Sequence, residues 1–236
     1  MLEVAALDGR KIEDEGLSEK MEDVRRGDGD GSLLIGVSLG PGDPELLTRK
    51  AEKALASADE VFVPGEMAAE LVRPFAEPEV LDFPMISDKA RLLEIWADNA
   101  DRVASRALGG DAAFACIGDV NTFSTFSHLK RLVIERHPKV EIETIPGVGT
   151  VPALAARLGV DLSESFLVSD GTQVQTVIRM KAVRPAEMAA ELAREGFDDF
   201  TLGVRLYTPE ESIIREEMPE SSDYFSVLCA RRRSRR

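Results

Sequence analysis

Cysteine, histidine and the larger aromatics are scarce in this chain: two Cys, two His, one Trp and two Tyr among 236 residues. Cys116 and Cys229 each sit inside an apolar run, AlaAlaPheAlaCysIleGly and TyrPheSerValLeuCysAla, so they are expected as two reduced core thiols in buried strands and not as a disulfide. His128 and His137 lie in one helical stretch with no Cys or carboxylate at ligand spacing, and no protein-bound metal site is expected. No Gly-x-Ser-x-Gly elbow is present, which leaves nucleophilic catalysis with little support. No apolar run approaches the roughly 18 residues of a spanning helix, so no membrane partner is expected. The first thirty or so residues are acidic and lack a basic region followed by a hydrophobic one, which argues against a secretory signal and for a cytoplasmic protein. Positive charge is also in deficit. With 43 Asp and Glu against 29 Lys and Arg, the net charge of −14 would repel a phosphate backbone, and no nucleic-acid partner is expected. Arg heavily outnumbers Lys, and an acidic surface poor in Lys suits a protein that stays hydrated in strong salt.

What is present is a 44% apolar fraction arranged in alternating strand-like and helix-like segments, the pattern of a globular α/β protein. Residues 1–30 mix Asp, Glu, Lys and Gly without period and read as a flexible acidic extension. LeuLeuIleGlyValSerLeu (33–39) is a continuous apolar run suited to a strand buried on both faces. GlyProGlyAspPro and a helical pattern follow, with Asp43 as cap, Pro44 at the first helical position and Glu45 at the positive end of the dipole. Strands are predicted at 60–64, 112–117 and 140–145, and helices at 88–108 and 124–136. These compose a parallel-sheet N-terminal lobe over 31–147, with a hinge near Gly147. A smaller mixed-sheet C-terminal α/β lobe is expected over 148–236, with strands near 166–168, 176–181, 200–206 and 224–230 and a helix over 185–195. The closing ArgArgArgSerArgArg reads as a solvated tail.

Three glycine-bearing loops each follow a predicted strand of the first lobe: GlyProGlyAspPro (40–44), IleGlyAspVal (117–120) and ProGlyValGlyThr (146–150). In an open parallel sheet the carboxyl ends of the strands share one edge, where such sheets bind ligands. The three loops should converge there. Glycine lets a backbone approach a ligand closely, and the N–H groups of a helix start attract carboxylate or phosphate. One such loop alone is an ordinary turn; a dinucleotide reading is weaker still, because GlyValSerLeuGlyProGly lacks the Gly-x-Gly-x-x-Gly order.

Taken in order, GlyValSerLeuGlyProGlyAspProGluLeuLeuThr (36–48) and AlaAspGluValPheValProGly (58–65) resemble the opening of the tetrapyrrole methylases. IleGlyAspValAsnThrPheSerThrPheSerHisLeu (117–129) is similar to that family's Gly-Asp-Pro loop in its carbon-20 branch, which acts on precorrin-2 or cobalt-precorrin-2 (cobalt-factor II). ThrIleProGlyValGlyThr (144–150) and AspTyrPheSerVal (223–227) extend the resemblance to about residue 230. Val120 stands where the family usually has proline, and Phe123 where the branch often has tyrosine.

The resemblance implies a homodimer of two α/β lobes with S-adenosylmethionine as cosubstrate in the cleft between them and a tetrapyrrole substrate above it. Carried over one position at a time, Pro41 would flank the cofactor, Gly118 and Asp119 would hold its methionine end, and Thr122 would add a contact. Gly149 and Thr150 would form the third contact loop, Met180 would pack on the adenine, and Tyr207 would offer a backbone contact. For each the plain alternative is turn geometry or core packing, and a lone Met in a strand such as Met180 is usually core. The implied reaction is methyl transfer to carbon 20 in cobalamin biosynthesis, and no catalytic base can be named. The alternatives are another tetrapyrrole or diphthamide-precursor methyltransferase, or a catalytically silent carrier of tetrapyrrole or cofactor.

Overall fold

The computed structural model describes residues 32–232, and the chain divides between Ser163 and Glu164 into two compact units. The acidic extension expected over 1–30 and the last four residues of the arginine-rich tail lie outside the described residues.

The first unit is built on five parallel strands: β1 (Leu33–Ser38), β2 (Glu60–Val63), β3 (Pro78–Val80), β4 (Asp111–Cys116) and β5 (Glu141–Ile145), in the order β3-β2-β4-β1-β5. Five helices complete it: α1 (Arg49–Ser57), α2 (Glu66–Val72), α3 (Lys89–Ala107), α4 (Thr125–Arg136) and α5 (Thr150–Leu158). Helices cover the sheet on both faces, which is why its central strands read as unbroken apolar runs. In β4, Ala112, Phe114 and Cys116 turn to one face and pack with Ala100, Val103 and Ala104 of α3 and with Phe126, Leu129 and Val133 of α4. Ala113 and Ala115 turn to the other, with Ala51, Ala54 and Leu55 of α1 and Ala68, Ala69 and Val72 of α2. Gly36 of β1 is required by close approach, since a Cβ there would fall 2.4 Å from the Phe126 ring.

Three helix starts of the first unit carry a side-chain cap. The Asp88 carboxylate accepts from the N–H of Ala90 and Arg91 at the head of α3, and the Ser124 hydroxyl from Phe126 N–H at the head of α4. The single helix expected after Asp43 is in fact broken. Asp43 caps only a 3-10 turn, Pro44–Leu46; the chain then extends at Leu47, and Thr48 caps α1 by accepting from Ala51 N–H. Thr48 competes with helix continuation by giving its hydroxyl to the next turn.

The second unit is a four-stranded sheet, β6 (Thr176–Met180), β7 (Asp199–Val204), β8 (Ser212–Ile214) and β9 (Ser226–Arg231), in the order β6-β9-β7-β8, with one helix, α6 (Pro185–Arg194). The sheet, expected to be mixed, is antiparallel at each pairing. Leu202, Leu228 and Ala230 meet Ala189 and Leu192 of α6 in its core. The strand expected near 166–168 is absent: Phe166, Leu167 and Val168 lie in irregular, exposed chain. Three apolar residues between two serines make a strand only where a neighbour offers a ladder, and β6 pairs with β9 instead. Cys229 is half-buried in β9 and not a full core thiol, while Cys116 is buried; neither is in a disulfide.

Candidate functional site

The parallel order brings β4, β1 and β5 side by side, with Ser38 level with Cys116 and Val37 with Ile145. The loops after these three strands therefore leave the sheet at one edge. Gly40 and Gly118 face each other in an isolated antiparallel bridge: Gly118 N–H donates to Gly40 O at 2.6 Å and Gly40 N–H to Gly118 O at 3.2 Å. Both have positive φ, 70° and 80°, a conformation glycine takes without strain.

Two side chains tie the loops together. Ser38 is fully buried; its hydroxyl donates to Ile145 O at 2.7 Å and accepts from Val120 N–H at 3.0 Å, joining the end of β5 to the second loop. The Asp119 carboxylate spends both oxygens on backbone, accepting from Gly147 N–H at 3.0 Å and Asn121 N–H at 2.9 Å. The Thr122 hydroxyl lies 3.4 Å from the same carboxylate. Gly147 is where the third loop passes β1, since a Cβ there would lie 2.6 Å from Ser38 Cβ. The expected residues Pro41, Gly118, Asp119, Thr122, Gly149 and Thr150 thus share one edge. Ser38 is not among the residues the sequence singles out; its one signal there is a lone hydroxyl in an otherwise apolar buried run.

Gly149 precedes α5 and no side chain caps that helix, so its first-turn N–H groups have neither an intrahelical nor a capping side-chain acceptor. A Cβ at Gly149 would come no nearer than 3.8 Å to another atom, and one at Gly118 no nearer than 3.9 Å. A side chain of one carbon would therefore meet ordinary contacts, from Asp119 Cβ at Gly149 and from Thr150 Oγ1 at Gly118, so the second and third loops lie against each other. Asn121, Thr122 and Phe123 of the second loop are exposed.

In the second unit the other two expected residues lie at the end of β6 and in the turn after β7. Met180 ends β6 and is 67% exposed, which removes core packing as its role. Tyr207 is exposed with φ 64°, its N–H held by the Glu211 carboxylate. A cavity of about 490 Å³ is lined by Met180, Leu206, Tyr224 and Phe225 with Lys181 and Arg205 among its other walls. Arg205, also left-handed at φ 47°, is fixed by Asp223, whose carboxylate accepts from its Nε at 3.1 Å and Nη2 at 2.9 Å. The volume falls within the range of small-ligand pockets, about 300–1,000 Å³, and its mostly apolar walls suit a flat ring.

The family model for Tetrapyrrole (Corrin/Porphyrin) Methylases matches residues 33–220. The chain belongs to this family. A probable cobalt-precorrin-2 C(20)-methyltransferase of Methanocaldococcus jannaschii is 30% identical over 226 residues, which covers 84% of this chain and 96% of that protein. A precorrin-2 C(20)-methyltransferase of a Sinorhizobium species is 29% identical over 180 residues, 68% of this chain and 67% of that protein. Among solved structures, precorrin-6Y methylase from Archaeoglobus fulgidus aligns with a TM-score of 0.46 at 20% identity, covering 86% of this chain and all of that one.

In this tetrapyrrole methylase the cysteines offer no nucleophile at the loop edge. Burial pushes the Cys116 thiol up to about 11, although the Ser124 hydroxyl and Phe126 N–H act the other way. His137 pairs with Asp101 at 2.7 Å and His128 stacks on Trp96, so both imidazoles are engaged on α3 and at or after α4. Among the described residues no group of three or more His, Cys, Asp or Glu could hold a metal ion, and no helix is long and apolar enough to cross a membrane.

Proposed function

We propose that this methylase transfers a methyl group from S-adenosylmethionine to carbon 20 of a reduced tetrapyrrole, precorrin-2 or its cobalt form, in cobalamin biosynthesis. The observation that carries the reading is the 30% identity to the M. jannaschii protein over 84% of this chain and 96% of that one. The cobalt-bearing substrate is favoured, and its metal would arrive with it. The chain acts as a cytoplasmic homodimer in this reading. Leu154 and Leu158 of α5, 55% and 63% exposed, are apolar surface of the kind that association covers.

The local chemistry fits the cofactor. Backbone N–H groups at the start of α5, beside Gly149 and Thr150, suit its carboxylate, with Pro41, Gly118, Asp119 and Thr122 around it. Met180 and the Tyr207 turn suit its adenine. The sulfonium is an activated donor: the methyl group moves to the nucleophilic carbon, the S–CH₃ electron pair stays on sulfur, and the carbon later loses a proton. The protein need only align the reacting atoms and exclude water. The competing reading is a catalytically silent carrier, favoured by the absence of any helix or strand between residues 160 and 175.

Calorimetric titration with S-adenosylhomocysteine, against an adenine nucleotide, tests the reading, followed by mass analysis of cobalt-precorrin-2 after incubation with the cofactor. Micromolar binding, about −8 kcal/mol, with gain of one methyl at carbon 20 is expected. Met180→Ala should weaken binding by about 2–10-fold while leaving stability within about 0.5 kcal/mol, because the side chain is exposed. Selective binding without turnover would establish the carrier. No S-adenosylhomocysteine binding by the folded protein would overturn the methyl-transfer reading and move the carrier to the front.

A further inference from the structure

Phe123 is held in an arrangement that the fold itself does not reward. It is 69% exposed, and its φ of 49° is left-handed, a region a bulky residue occupies at a cost. Leaving a phenyl ring in water adds a second cost. Both flanks are pinned. On one side Thr122 N–H donates to Asp119 O at 3.1 Å, and the Asp119 carboxylate is itself anchored to the third loop. On the other side Ser124 is buried and caps α4, while Phe126, two residues on, is buried and stacked on Phe114 at 5.9 Å. The next residues toward the helix thus place one aromatic inside the core and the other outside it, at the ligand edge of the sheet. A glycine or asparagine would meet the backbone requirement with no ring to expose.

We propose that Phe123 is a substrate-positioning residue whose ring forms a flat apolar contact for the tetrapyrrole macrocycle, and that it contributes to tetrapyrrole and not to cofactor affinity. The inference rests on the tetrapyrrole reading above. The chemistry suits it: a conjugated macrocycle offers a broad π face, and an aromatic ring fixed by its backbone meets that face with little loss of freedom on binding. The loop also carries Asn121, whose amide donates to the Thr144 hydroxyl at 3.3 Å, so the segment before the ring is tied to β5 as well.

The test uses the full chain and uroporphyrin, a flat tetrapyrrole with carboxylate side chains, read by quenching of Trp96, the single tryptophan. Phe123→Gly should raise the uroporphyrin Kd about tenfold, leave the S-adenosylhomocysteine Kd unchanged, and keep Tm within about 2 °C of wild type, since glycine accepts the left-handed backbone. Phe123→Tyr should bind as wild type, and Phe123→Leu should bind as weakly as Phe123→Gly. Wild-type affinity in either Phe123→Gly or Phe123→Leu overturns the proposal, as does a fall in Tm or a change in oligomeric state that accompanies weaker binding. Absence of quenching in the wild type also overturns it. Failure of the wild type to bind S-adenosylhomocysteine, with uroporphyrin results as expected, would instead count against the methyl-transfer reading.

Discussion

Removing the Ser38 hydroxyl should loosen the whole loop edge. Ser38→Ala leaves Ile145 O without its donor at 2.7 Å and Val120 N–H without its acceptor at 3.0 Å, both in a buried setting. A buried backbone group left unpaired costs about 1–3 kcal/mol, and some relaxation is available, so the pair should cost about 2–4 kcal/mol. For a protein of this size each kcal/mol moves Tm by about 2–4 °C, which gives a fall of roughly 4–16 °C by scanning fluorimetry. Exposed Ser57, whose hydroxyl makes only a long 3.4 Å contact to Ala54 O, is the control, and Ser57→Ala should stay within about 0.5 kcal/mol. A second variant separates hydrogen bonding from space. Gly147→Ala brings a Cβ to 2.6 Å from Ser38 Cβ and should destabilise alone; Ser38→Ala keeps that Cβ and cannot relieve it, whereas Ser38→Gly can. In a double-mutant cycle Gly147→Ala should therefore cost less in the Ser38→Gly background than in the Ser38→Ala background. If Ser38→Ala matches Ser57→Ala in Tm, or if the two backgrounds give the same cost, the assignment of Ser38 as the tie between the loops is refuted.

Two further outcomes concern an ion pair on the helices and the two thiols. The Asp101 carboxyl is held down to about 2, first by the Arg136 guanidinium and then by His137, against an ordinary value of 3.8. A depressed carboxyl contributes stability in full above its unfolded value and loses it as pH falls toward the folded one. The Tm difference between wild type and Asp101→Asn should therefore shrink as pH falls from about 5 toward 2. It should also shrink in high salt because the pair is solvent-exposed; a pH-independent difference would contradict the pairing. Burial raises the Cys116 thiol to about 11 and raises Cys229 as well, so at pH 8 about one Cys116 in a thousand is thiolate. A thiol reagent should label half-buried Cys229 first and Cys116 only in denaturant, and prompt native labelling of a Cys229→Ser variant would show that Cys116 is not sealed.

The parts of the fold legible in the sequence are those decided locally or by continuous burial. Leu33 to Ser38 lies between two helix layers and has to be apolar throughout, so its run announces β1; Asp88 and Ser124 announce helix starts because capping needs only the next turn. What the sequence hides depends on partners distant along the chain. Pro78–Val80 and Ser212–Ile214 are strands because β2 and β7 stand beside them, while the more apolar Phe166 to Val168 is not, because nothing pairs with it. The candidate site divides in the same way. Three glycine loops after three strands predict convergence at one edge, but only the pairing of β1 with both β4 and β5 makes Ser38 the residue that joins them. Met180 looks like core by type, and its exposure follows from its place at the last residue of an edge strand.

The division between support and contact at the loop edge limits what each side chain can do. Asp119 is the most chemically suggestive residue there, yet its two oxygens accept from Gly147 and Asn121 N–H groups, so its main work is to set the second and third loops at a fixed spacing. An asparagine in its place would turn an NH₂ toward one of those N–H groups, donor against donor, and the loops would part although size and shape are kept. Contact with a ligand then falls to what the ties leave accessible: the half-buried Gly149, the start of α5 at Thr150, and Asn121 to Phe123. A surface of backbone N–H groups held by buried side chains is already oriented before a ligand arrives, so little ordering remains to oppose binding. For methyl transfer, where the donor is already activated and alignment supplies the acceleration, a stiff edge of this kind is a contribution a protein can make without a side-chain nucleophile.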